Sequence, residues 1–249
     1  SLGYIVGAVI ILAYLFHPER ILHVCRVKLS KKSLYLTIRN VGYMCRLGFS
    51  SFLCETAIAT MMFVGNYVFI RYLGEDGVAA YSIACYFFPI VFMVYNAIAQ
   101  SAQPILSYNY GAKCTARVRE TFRLALTTAI LCGAGVFLLT WIFSHQIVGM
   151  FLDSSYPAYN IAVKGLPLFA SGFVFFGINI VSIGYFQSLE RDCLAMIITL
   201  LRGFVLILLC FWILPIIWGS WGIWLAVPMS ELLTFLFVLV IYWLENRRN

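Results

Sequence analysis

Long apolar stretches alternate with short polar ones along almost the whole chain. The run from Leu47 to Ile70 holds one charge, Glu55. Comparable runs cover Val78–Leu106, Leu124–Ser144, Ile161–Gln187, Leu194–Ile217 and Ile223–Leu244. Each has the roughly 20 residues a helix needs to cross the ~30 Å oily layer of a bilayer. In that layer a helix can bond its own backbone without help from water. The pattern therefore predicts an all-α, polytopic membrane protein with a six-transmembrane-helix bundle over residues 47–244. Residues 1–17 read as the remnant of a preceding membrane helix, ended by His17-Pro18. That remnant has no basic leader, so it is not a signal peptide. The chain accordingly reads as part of a longer protein.

Residues 18–46 form a basic amphipathic linker. Leu34, Ile38, Val41 and Cys45 make an apolar stripe at helical spacing, while Lys32, Arg39 and Arg46 recur on another face. This predicts a helix on the inner leaflet, with its cations toward anionic headgroups. Breakers punctuate the rest. A turn is expected at Leu73–Gly77, a kink at Pro89 and a helix break between Pro104 and Gly111. An outer loop is expected at Gln146–Asn160, and softening at Pro167 and Gly172. A tight hairpin is expected at Gly219–Gly222, and a kink at Pro228. Residues 245–249 are a short tail.

Composition agrees with a membrane class. Of 249 residues, 63% are hydrophobic and 11% charged, against about 25% charged in soluble domains. The net charge of +7 does not indicate nucleic acid, because of where it falls. Fifteen of the 17 Lys and Arg fall in four clusters, Arg20–Arg46, Lys113–Arg123, Arg191 with the embedded Arg202, and Arg247 with Arg248, while Arg71 and Lys164 border the alternate loops. That is the positive-inside pattern, and it places the carboxyl terminus in the cytoplasm. The eight cysteines form no CxxC pair and read as small buried residues, not a metal site.

Three charges fall inside apolar runs: Glu55, Arg202 and Glu231. Glu55 lies about 14 Å from Arg46, near mid-membrane, where a carboxylate must be paired, protonated or holding a cation. Asn66, eleven residues on, shares its face. Asn96, Gln100 and Gln103 form another polar face at i, i+4 and i+7, which either bridges helices or lines a path. Asn179 and Gln187 are further polar points. Arg202 and Glu231 stand on opposite arms of the hairpin, sixteen residues before and thirteen after Trp218. The mismatch is about 4.5 Å of rise, within reach of an arginine, so a structural ion pair is expected. Glu55 then lacks an evident cationic partner. It reads either as a group that binds a coupling ion or as a structural acid. Phe63, Tyr67, Tyr95 and Phe186 are candidate aromatic contacts for a ligand.

Four segments carry a family resemblance. These are Gly74–Ile83 (GEDGVAAYSI), Gln103–Lys113 (QPILSYNYGAK), Gly177–Arg191 (GINIVSIGYFQSLER) and Gly222–Thr234 (GIWLAVPMSELLT). In that order they resemble the seventh, eighth, tenth and twelfth helices of multidrug and toxic compound extrusion (MATE) transporters. The resemblance implies twelve spans in two six-helix lobes, this chain being the tail of the sixth, the linker and the C-terminal lobe. It implies an acid at the Glu55 position engaged in cation coupling, with proton or sodium as the ion and no cofactor. Sodium at Glu55 would be the one metal. It further implies multidrug efflux by antiport through alternating access in the cell inner membrane. The partners would be the lipid bilayer, the missing N-terminal lobe and small organic, cationic substrates. The family's other well-known acid lies in the first lobe, outside this chain.

Two alternatives remain at this stage. A flippase for lipid-linked oligosaccharides of the same superfamily would need a strongly basic cavity for pyrophosphate. A structural membrane protein would need no embedded acid. An enzyme is not expected: HExxH, GxSxG and paired-aspartate motifs are missing, and His17, His23 and His145 lie apart at span ends.

Overall fold

The computed structural model describes residues 2–15 and 30–246, all helix and connecting turns. The expectations for His17, His23, Cys25, Arg247 and Arg248 lie outside these residues. The chain divides into two compact units, Ser1–Cys45 and Arg46–Asn249. In the first, α1 covers Leu2–Leu15 and residues 31–45 belong to α2, whose full extent is Lys31–Gly111. Leu34, Ile38, Val41 and Cys45 are all exposed there.

In the second unit α2 continues to Gly111 and is followed by α3 (Thr115–Ile142) and the short α4 (Ser144–Gly149). Next come α5 (Pro157–Ala170), α6 (Phe173–Ser188) and α7 (Asp192–Leu200). A π-helical turn, Leu201–Leu206, leads into α8 (Ile207–Asn246). Among the described residues, three stretches are long and apolar enough to cross a membrane: Phe52–Gly111, Thr115–Ile142 and Asp192–Leu244. The α5–α6 pair, bent by 41°, makes a fourth if it counts as one span.

Two of these stretches are too long to be single rods. Phe69 and Tyr81 would be about 18 Å apart in a straight helix, yet their rings stack at 4.3 Å. The chain therefore doubles back between them, at Gly74, where φ is 67°. Gly219, with φ 57°, reverses α8 in the same way. A side chain at positive φ meets the backbone, so glycine is the residue for such a reversal. The expected Leu73–Gly77 turn is thus compressed to a single glycine.

Other boundaries also differ from expectation. The helix runs through Pro89, Pro104 and Pro228 with no non-helical residue at any of them. The break expected between Pro104 and Gly111 falls after Gly111, where Lys113 takes φ 57°. The loop expected over Gln146–Asn160 is partly helical, with α4 at its start and α5 at its end. In the fourth run the break lies at Ser171 and Gly172, between α5 and α6, as expected for Gly172, while Pro167 stays inside α5.

Aromatic side chains fill the bundle. Phe69 stacks on Tyr81 and meets Trp224 edge-on at 4.8 Å. Deeper along the bundle, Phe88 stacks on Phe176 at 4.7 Å, and Tyr95 meets Phe176 edge-on. Tyr95 Oη donates to the Phe173 carbonyl at 2.8 Å, which supplies a partner near the α5–α6 break. These rings hold α2, α5, α6 and α8 together around one core.

Candidate functional site

Glu55 stands on α2 beside Cys54, whose thiol lies 3.6 Å from the Thr199 hydroxyl of α7. The Glu55 side chain is exposed and has no ion pair among the described residues. It borders a cavity of about 180 Å³ whose polar wall is Asn96, Gln100, Gln103 and Gln187, and whose apolar wall includes Phe92, Ile180 and Ile183. The same four amides line a wider recess of about 570 Å³, with Ser107 and Ser188 at its edge. Among the described residues, no Lys or Arg lines either recess.

Helix periodicity explains the convergence. Asn96, Gln100, Gln103 and Ser107 follow one stripe of the second arm of α2. Gln187 and Ser188 end α6, which packs across that stripe. Gln103 Nε2 donates to Gln187 Oε1 at 3.1 Å, and Ser107 Oγ donates to the Ser188 carbonyl at 3.3 Å. The amides therefore tie two helices together and also wet the cavity wall. Ser107 extends the amide stripe by one turn; that spacing was the signal available for it.

Asn66 is not on this wall. It is exposed on α2, about 16 Å along the axis from Glu55. A shared helix face does not become a shared cavity when the second arm of α2 covers only part of that face. Tyr95 and Phe186 are fully buried core residues, so they do not offer ligand contacts here. Phe63 and Tyr67 are 78% and 63% exposed, away from the amide wall.

Asn179 belongs to a second polar group, behind the cavity. Its Nδ2 donates to Glu231 Oε2 at 2.8 Å and to the Glu231 carbonyl at 2.9 Å. Arg202 Nε donates to Glu231 Oε1 at 2.8 Å. The guanidinium carbon lies 4.5 Å above the Phe176 ring. Arg202 and Glu231 are each 4% exposed, so the pair is desolvated and its partners set its energy. Phe176, three residues before Asn179 on the same face of α6, was not singled out from the sequence. Among the described residues no group of three or more His, Cys, Asp or Glu is placed to hold a metal ion.

These features define a class: a multi-span, all-α membrane protein with an acid and a set of amides on a cavity between its helices. Comparison with known proteins narrows it. Residues 51–212 match the MatE family model, and the chain belongs to that family. It is similar to Probable multidrug resistance protein NorM of Rhizobium meliloti (strain 1021), 26% identical over 161 residues, covering 61% of this chain and 34% of that protein. Its fold is similar to an outward-facing conformation of a multidrug resistance MATE family transporter of the MOP superfamily. That likeness has a TM-score of 0.82 at 18% identity, over 96% of this chain and 54% of the other. A MOP superfamily transporter from Pyrococcus furiosus Vc1 (DSM3638) gives 0.79 at 18% identity, over 94% and 52%. The chain thus spans about a third of its curated relative and about half of these solved transporters.

Proposed function

We propose that this chain is the C-terminal lobe of a secondary active transporter that exports small organic cations by antiport with proton or sodium. Dividing α2 at Gly74 and α8 at Gly219, and counting α5–α6 as one bent crossing, yields six crossings for the lobe. The likeness to two-lobed transporters over about half their length supports a second lobe as partner. Alternating access follows from two lobes rocking about a central cavity. The cell inner membrane, with the carboxyl terminus in the cytoplasm, fits the positive-inside pattern.

One observation carries this reading: Glu55 borders an amide-lined cavity with no cation beside it among the described residues. A carboxylate on such a wall offers one negative charge that a proton, a sodium ion or a cationic substrate can take in turn. Competition among these for one charge is the elementary step of an antiporter. The amides Asn96, Gln100, Gln103 and Gln187 would orient the passenger through neutral hydrogen bonds. A cavity without Lys or Arg favours export of cations over a flippase that must grip pyrophosphate.

The test is dye efflux from cells making the full-length protein, with the proton and sodium gradients collapsed in turn. Efflux should stop when the coupling gradient is removed. Glu55→Gln should abolish gradient-driven efflux by about tenfold or more, since it removes the exchangeable charge while keeping the shape. Unchanged efflux and unchanged ion dependence in that variant would overturn the role of Glu55.

A further inference from the structure

The polar group behind the cavity is not completed by the protein's own atoms. Arg202 Nε is bonded to Glu231 Oε1, but Arg202 Nη1 is buried and has no hydrogen-bond partner among the described residues. An ionised donor left alone in a low-dielectric interior is strongly unfavourable. Beside it lies a cavity of about 10 Å³. Its walls include Ala57 and Met61 of α2, Arg202 of the π-turn, and Val227, Ser230 and Glu231 of α8.

Size and chemistry select the occupant. A water molecule needs about 10–15 Å³ of such space and two to four polar partners. A cation would face the guanidinium, and an anion would face the Glu231 carboxylate. A neutral molecule that both donates and accepts meets each wall correctly. The π-helical turn contributes the geometry. Inserting a residue into the helical ladder widens the turn at Arg202, and such bulges recur at functional positions.

We propose that this cavity is the site of a single internal water. The water accepts a hydrogen bond from Arg202 Nη1 and donates to the Glu231 carboxylate or the Ser230 hydroxyl. It partners the orphaned donor of the Arg202–Glu231 pair and sits at the joint between the helix bearing Glu55 and the last hairpin, since Ala57 forms one wall. The site stands independently of the transport reading.

Two measurements test it on the purified full-length protein in lipid nanodiscs. A structure at a resolution that shows ordered water should place density about 2.7–3.2 Å from Arg202 Nη1. A protein group bonded to Nη1, or a dry cavity, would overturn the proposal. Separately, Val227→Ile adds a methyl from the apolar wall and should displace the water. It should lower Tm by about 4 °C or more in the native background, where it strands Nη1. The same change should lower Tm by much less in an Arg202→Met/Glu231→Met background, where the Arg202 donor is gone and Asn179 Nδ2 keeps the Glu231 backbone carbonyl. Equal shifts in both backgrounds would overturn the proposal. If the methionine pair does not fold, the density at Nη1 decides alone.

Discussion

Two acids in apolar runs, Glu55 and Glu231, end in opposite states because of what neighbouring helices bring to them. Glu231 receives Arg202 Nε and Asn179 Nδ2, one on each carboxylate oxygen. Glu55 receives neither and borders a cavity. The difference predicts different responses to neutralisation. Glu231→Leu alone strands a buried guanidinium and should destabilise the protein by about 3–5 kcal/mol. Arg202→Met combined with Glu231→Leu should recover most of that loss, because a desolvated pair contributes little beyond packing. Thermal unfolding of the single and double variants checks both outcomes. Rise along two helix arms suffices to bring Arg202 and Glu231 within reach of each other in the sequence. The part played by Phe176 under the guanidinium was hidden, since an aromatic in a span resembles ordinary packing until its neighbour is known.

The helices owe their ends to glycine more than to proline. Pro89, Pro104 and Pro228 stay within helices, while Gly74 and Gly219 reverse them. A proline deletes one donor and can be accommodated by its surroundings. A reversal at positive φ with ψ of −158° or −133° needs a residue without a Cβ. Gly74→Val and Gly219→Val should each destabilise by about 1–3 kcal/mol, the cost of holding a branched side chain in that region. Ala in place of Val should be milder, because at ψ −158° and −133°, where essentially only glycine sits, it adds a Cβ without a branch. Chemical or thermal unfolding midpoints for the four variants would show the order. The π-turn at Leu201–Leu206 is the element that periodicity missed altogether. Its apolar sequence fits an α-helix equally well, and only packing around Arg202 selects the wider ladder.

For the whole molecule, the two hairpins and the bent pair arrange the chain so that the amide stripe of α2 faces the end of α6. The proposed topology makes a directional claim. A single cysteine at Ser154, in a protein whose native cysteines are replaced, should react with a membrane-impermeant maleimide added from outside. A cysteine at Arg117 should react only after the membrane is permeabilised. The reverse pattern would invert the orientation and place the carboxyl terminus outside. Labelling in intact and permeabilised cells makes the comparison.

Membrane class, helical content and the positions of polar stripes follow from the order of residues, because each depends on local composition and on the 3.6-residue period. So does the approach of Arg202 to Glu231, which needs only a hairpin and a fixed rise per residue. Which stripe faces which neighbour does not follow. Asn66 and Glu55 share a helix face yet only Glu55 reaches the cavity, and Tyr95 and Phe186 sit in the core. The pairing of Gln103 with Gln187 and the widened turn at Arg202 are likewise decided by packing, whereas the bend at Ser171–Gly172 falls where Gly172 marked it. The reason is physical: periodicity describes one helix at a time, whereas a cavity exists only where the surfaces of several helices fail to meet.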